Sequence, residues 1–282
     1  MTRPATTLPR IPPGRSGLFH VRDGRGAPIV FVHGTCGDWR TFEGIRARVA
    51  RRFEYVSYSR RGHHPGPGDV RRSACTVDAH VRDLAALIDE LGTGPVHAVG
   101  NSQGGFIVLR LLLEHPALVQ SAVIGEPGLV TPPADDDEGA ACVAERARGM
   151  ASVHALVDAG ETQAGARLLF DYVTARSGGF DELPQDRQVR WLDNAHTLRL
   201  QERARAPLSR AVLEKARRPV LVVRGARTTP YHRVTTRALL GWLPDGARGA
   251  VIPDAGHMSY ADNPDAFAAA LLEFVATVEP DP

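Results

Sequence analysis

Apolar residues along the chain fall into two alternating patterns. Short apolar runs at residues 28–32, 54–58, 95–99, 121–124, 219–223 and 248–252 read as strands, and 16–22 reads as a further short strand closed by the turn Asp23-Gly24-Arg25-Gly26. Between them lie segments with helical period. In residues 76–91, Val77, Val81, Leu84, Ile88 and Leu91 keep one face apolar, and Gly92 ends the helix. Residues 104–114 are apolar nearly all round, which predicts a central, buried helix stopped by Pro116. Asp38 is placed to cap a helix running to about Ala50, and 264–278 presents Phe267, Leu271, Phe274 and Val278 on one face. Residues 62–68 are rich in Gly and Pro and read as a loop. Strands alternating with helices predict an α/β fold, a mostly parallel sheet with helices on both faces.

One stretch breaks the rhythm. Between residues 128 and 217 there is no strand signal, only helical patterns at 140–159, 162–176 and 185–205. An insertion of that size is far beyond an ordinary connection. The chain therefore divides into a loose Pro- and Arg-rich arm (1–15), a core (16–127 and 218–282) and a helical insertion (128–217). The insertion opens on Pro132-Pro133 and four consecutive acids, Asp135 to Glu138, which read as a solvated loop, with cation binding as the alternative.

Composition narrows the classes. With 282 residues, 43% of them hydrophobic, the chain can build one large core. The net charge is +2 and the basic residues, nearly all Arg, are interspersed with acids, so no nucleic-acid-binding stripe is expected. The N-terminus lacks the apolar stretch of a signal peptide, and no run suits a transmembrane helix; the expectation is a cytoplasmic protein without a membrane partner. Three cysteines, Cys36, Cys75 and Cys142, suggest neither a disulfide framework nor a zinc site, and no metal is expected.

The candidate chemistry centres on Gly100-Asn101-Ser102-Gln103-Gly104. This G-x-S-x-G follows the predicted strand 95–99 and opens the buried helix, the strand–turn–helix setting of a nucleophile elbow. Small glycines flank the serine because the turn leaves no room for side chains. The helix N-terminus behind Ser102 favours a developing negative charge. A serine hydroxyl needs a base. His257, just after the last predicted strand, can reach the same sheet edge, whereas His97 lies within a strand, His115 ends a helix and His63-His64 sit in an early loop. Oxyanion donors are expected from the backbone amide of Gln103 together with that of Thr35 or of Cys36, in His33-Gly34-Thr35-Cys36-Gly37. Cys36 itself reads as a small buried thiol.

Taken together, His33-Gly34-x-x-Gly37, the segment from Tyr58 to His63, the elbow Gly100–Gly105, Gly125-Glu126-Pro127 and Ala255-Gly256-His257-Met258 resemble the α/β-hydrolase superfamily in order and spacing, over residues 16–278. The resemblance implies acyl-transfer hydrolysis through an acyl-enzyme, without a cofactor, and a helical cap over the site where the insertion lies. One departure stands out. The family's acid usually follows the penultimate strand, but here Thr228 occupies that place and no carboxylate occurs from Arg224 to Leu243. Some members of the superfamily carry the acid after the strand beside the nucleophile's, and Glu126 occupies that position. With adjacent strands ~4.8 Å apart, its side chain is long enough to reach the histidine. Asp254 and Asp262, close to His257 in sequence, are the alternatives, and a degenerate triad is a third.

These readings predict a serine hydrolase acting on an ester, lactone or thioester of a small to medium organic acid. The expected catalytic residues are Ser102, His257 and Glu126. In the insertion, Phe170, Tyr172 and Trp191 are candidates to line an apolar substrate pocket, and Arg167, Arg176 and His196 are candidates to meet an anionic group. A cyclase or lyase on the same fold, and a non-catalytic ligand binder, are the rival readings. The expected partner is a small-molecule substrate.

Overall fold

The computed structural model describes residues 16–66, 70–128, 137–201 and 208–278. The predicted arm at 1–15, Pro67 and Gly68 of the early loop, the prolines and first two acids of 131–136 and the end of the helix expected to reach Arg205 lie outside them.

Seven strands form one sheet: β1 (His20–Asp23), β2 (Pro28–Val32), β3 (Glu54–Tyr58), β4 (Val96–Asn101), β5 (Val119–Gly125), β6 (Val220–Gly225) and β7 (Arg248–Ile252). Their order is β1-β3-β2-β4-β5-β6-β7. Only β1 runs antiparallel, against β3. The rest are parallel, as the alternating pattern predicted. β2 and β4 are buried at every residue because both their faces are covered, whereas the edge strand β7 is largely exposed.

The strand period of two sorts side chains to the two faces. Val30 and Val32 of β2 join a core cluster with α2 (Val77–Leu91), α3 (Gln103–Glu114) and α8 (Pro230–Trp242), while Ile29 and Phe31 join one with α1 (Glu43–Val49) and α10 (Pro264–Ala276). Thr76 caps α2, accepting a hydrogen bond from Ala79 N, and Gly92 ends the helix at φ 66°. Asp38 does not cap α1. The helix starts at Glu43, and buried Asp38 instead binds Arg40 and Asn194 through its carboxylate.

The segment between β5 and β6 is helical where it is described: α4 (Asp137–Asp158), α5 (Thr162–Thr174), α6 (Gln185–Leu192), a 3-10 turn (Ala195–Leu200) and α7 (Arg210–Leu213). Val153, Val157, Ala166, Leu169, Val173, Ala195 and Leu198 form its small core, which also holds Cys36 from the loop after β2. The single helix expected from 185 is broken at Asn194. That buried side chain accepts from His64 N and donates to Asp38, so it joins the segment to the core instead of continuing the helix. The acidic run is not wholly a loop: Asp137 and Glu138 form the first turn of α4, and Glu138 pairs with Arg237 of α8 at 2.7 Å. A short helix, α9 (Ser259–Asp262), precedes α10. Among the described residues no helix is long and apolar enough to cross a membrane.

Candidate active site

The carboxyl ends of β2, β4, β5, β6 and β7 lie along one edge of the sheet, so the segments that follow them converge. Ser102, directly after β4, has φ 55° and ψ −123°, a backbone conformation that costs ~1–3 kcal/mol and holds the side chain up from the sheet. The turn is fixed by Ser102 N donating to Gly125 O at 2.8 Å. A Cβ on Gly104 would collide with the Val32 carbonyl, and one on Gly100 would collide with Gly104, so glycine is obligatory at both positions.

His257 lies in the loop after β7, buried, with its carbonyl accepting from Asn101 Nδ2 at 3.2 Å. Its Nδ1 is 2.6 Å from Glu126 Oε2. Glu126 is 1% exposed, at φ 38°. Its Oε1 accepts from Gly225 N at 2.8 Å and its Oε2 also accepts from Thr228 Oγ1 at 2.8 Å. A carboxylate can only accept, so the imidazole proton sits on Nδ1 and Nε2 carries the lone pair. Thr228, which stands where an acid was expected, thus serves the carboxylate as a donor. Of the sequence alternatives, Asp254 is exposed beside Arg227, and Asp262 accepts from Gly256 N.

A second imidazole packs on the first. The His232 and His257 rings stack with centroids 4.1 Å apart and 17° between planes. His232, which sequence reasoning passed over, is buried, and its pKa is held well below the ordinary value by burial, then by His257 and Arg146. Its Nδ1 is 2.9 Å from Thr229 Oγ1. Glu126, His232 and His257 bring three donor atoms within 4.8 Å of one another, the one such group among the described residues that resembles a metal cluster. The geometry favours a hydrogen bond over an ion. Two ligands of one tetrahedral zinc stand ~3.3 Å apart, but the Glu126 and His257 atoms are closer than that. Near-parallel rings also aim their lone pairs side by side rather than at one point.

The loop after β2 lies against the serine: a Cβ on Gly34 would be 3.2 Å from Ser102 Cβ. Thr35 Oγ1 donates to Gln103 Oε1 at 3.3 Å and accepts from Gln201 Nε2 at 2.9 Å. Arg60 Nη2 donates to Gly34 O at 3.0 Å and Gln103 Oε1 at 3.2 Å. The loop and the start of α3 are thereby locked together beside Ser102. Cys36 is buried, and burial pushes its thiol up to about 12 against smaller opposing effects of Arg60 and Thr197. Such a thiol remains protonated and is a poor nucleophile.

Ser102 and His257 open into a cavity of about 520 Å³ whose lining includes Thr35, Cys36, Arg146, Phe170 and Trp191. Phe170 and Trp191 meet edge to face at 5.3 Å. Tyr172 is not part of the lining; its hydroxyl donates to Glu145 at 3.3 Å. The basic candidates lie elsewhere: Arg167 pairs with Asp181, Arg176 with Glu182, and His196 bonds the Gly62 carbonyl. Of the arginines that do line the cavity, Arg40, Arg146, Arg187 and Arg190, Arg146 carries no sequence signal that distinguishes it from Arg148 two positions on.

A parallel sheet with a strained serine at the end of its central strand, and a histidine carried in after its last strand, defines the α/β-hydrolase class of fold. The sequence model of the Alpha/beta hydrolase family matches residues 29–270, and the chain belongs to that family. It is 30% identical over 279 residues to the "Putative non-heme bromoperoxidase BpoC" of Mycobacterium tuberculosis, covering 93% of this chain and 98% of that protein. The crystal structure of that BpoC superposes with a TM-score of 0.67 at 25% identity, covering 93% of this chain and 97% of that one. The N-acyl homoserine lactone degrading enzyme Est816 shares the fold, with a TM-score of 0.71 at 23% identity over 93% of this chain and 98% of its own.

Proposed function

We propose that the protein is a serine hydrolase acting on an ester, lactone or thioester of a small to medium organic acid. The observation that carries the reading is the 2.6 Å contact of Glu126 with His257 Nδ1, which leaves Nε2 as a base in the cavity that Ser102 also lines. Ser102 Oγ attacks the acyl carbon while His257 Nε2 takes its proton. The carbonyl oxygen becomes an oxyanion facing the Thr35 and Gln103 amides, with the Cys36 amide as the alternative donor. The carbon–oxygen or carbon–sulfur bond to the leaving group then breaks, and His257 returns the proton to that group. Water, deprotonated by His257, attacks the acyl-serine; the acid is released and Ser102 recovers its proton. Glu126 holds the ring orientation and stabilises the imidazolium, and no cofactor takes part.

On this reading the helical segment is a cap, and its Phe170 and Trp191 select the acyl group; Tyr172 supports the cap from outside the cavity. A short p-nitrophenyl ester should be hydrolysed, and a fluorophosphonate should label the protein one to one at Ser102. Turnover that survives Ser102→Ala would overturn the assignment.

A further inference from the structure

The cavity beside Ser102 contains a cation without a counter-charge. Arg146, on α4, is half-buried and lines the same cavity as Ser102 and His257. A methyl group placed on Gly128 would stand 3.4 Å from Arg146 Nη2 and 3.8 Å from Ser102 Oγ. The guanidinium and the hydroxyl therefore face each other across a gap that a few bonds of substrate can span.

The other arginines of the lining differ. Arg40 is neutralised by Asp38 and by Asp193 at 2.7 Å, and Arg190 pairs with Asp186 at 3.0 Å. Arg187 is exposed. No carboxylate among the described residues pairs with Arg146. It is held instead by neutral groups. Its guanidinium carbon lies 4.7 Å from the centre of the Tyr231 ring. The hydroxyls beside it donate elsewhere, Tyr231 to Gly128 O and Tyr172 to Glu145.

The side chain thus packs on an aromatic ring, with no carboxylate among the described residues paired directly to it. Its planar guanidinium fork suits a planar oxyanion. A partly desolvated charge is unfavourable until an opposite charge meets it. We propose that Arg146 is the anion-binding group of this cavity, and that the substrate is an ester or thioester bearing a carboxylate a few bonds from the carbonyl that Ser102 attacks. The proposal rests on the serine-hydrolase reading and narrows its substrate class.

The test uses shape-matched pairs. Monomethyl glutarate against methyl 5-methylhexanoate places the charge on the acyl side; the acetate ester of glycolate against isobutyl acetate places it on the leaving side. Proton release in a pH-stat gives kcat/KM for each. For at least one pair, the charged-to-neutral ratio should fall about ten- to a hundredfold in Arg146→Gln, with Arg146→Lys between the two. Glutarate titrated calorimetrically into the Ser102→Ala protein should bind, and should not bind once Arg146→Gln is added. Ester turnover with the same ratio in wild type and Arg146→Gln would overturn the anion site and leave the hydrolase intact. Arg146-dependent glutarate binding without turnover of any ester would retain the anion site and sink the hydrolase. Neither turnover nor glutarate binding would sink both.

Discussion

Replacing Glu126 by Gln removes one charge and almost no volume, and the structure specifies the result. The carboxylate accepts three hydrogen bonds: Gly225 N at Oε1, and Thr228 Oγ1 and His257 Nδ1 at Oε2. An amide has one acceptor oxygen. If that oxygen takes the place of Oε1, the NH2 faces His257 Nδ1, and the imidazole must move its proton to Nε2, the wrong tautomer for a base. If the oxygen takes the place of Oε2, the NH2 meets Gly225 N–H, and a buried donor goes unpaired at a cost of about 1–3 kcal/mol. Either way, the imidazolium formed during attack loses its counter-charge. The expected loss in kcat is on the order of 10²–10⁴, about 2.7–5.4 kcal/mol of barrier, with a smaller change in KM. The assay is p-nitrophenyl acetate hydrolysis, with Asp254→Asn and Asp262→Asn as controls expected to stay close to wild type. Thr228→Asp in the Glu126→Gln background should recover part of the loss, because the Thr228 hydroxyl already lies 2.8 Å from the oxygen that holds His257. A Glu126→Gln protein within threefold of wild type, or a larger loss in Asp254→Asn, would refute the reasoning.

Ser102→Ala and His257→Ala should each abolish most ester turnover, and the double variant should be scarcely worse, because residues serving one step are not additive; losses that multiply would contradict this. Trp191→Ala, which widens the cavity, should raise kcat/KM for long acyl chains relative to short ones, and equal changes at every length would show that the ring only supports the cap. Burial first, then neighbouring charges, holds His33, His63 and His232 well below the ordinary histidine pKa. The unfolded chain therefore takes up protons that the native state refuses. This stabilisation is fully present above the unfolded pKa of ~6.5 and is lost as pH falls below it, by about 4 kcal/mol at pH 5.5 if all three contribute. Urea unfolding at pH 7.5 and 5.5 measures the loss, and equal midpoints would contradict it.

The sheet and its helices were legible because period and length coincide there: β2 and β4 are short, apolar and covered on both faces, and α2 carries its cap and its terminal glycine in sequence. Ser102 was legible because its glycines are steric necessities that leave a local motif. Glu126 was reached through the resemblance to the α/β-hydrolase superfamily, some of whose members carry the acid after that strand, and the structure brings it to His257. The misread elements depend on contacts distant in sequence. Asp38 looks like a helix cap, but it is taken by Arg40 and Asn194, the latter 156 residues away. Asn194 also interrupts a helix that its own neighbours would continue. Arg146 and His232 gain their meaning only from what packs beside them, Ser102 across the cavity and His257 in a stack.

The central claim is that catalysis passes through an acyl group on Ser102. Rapid-quench mass spectrometry of the protein during p-nitrophenyl butyrate turnover tests it most directly. The account predicts a transient butyryl adduct on the peptide containing Ser102, absent in Ser102→Ala and formed far more slowly in Glu126→Gln. Turnover with no adduct, or with the adduct on another residue such as Cys36, would contradict it.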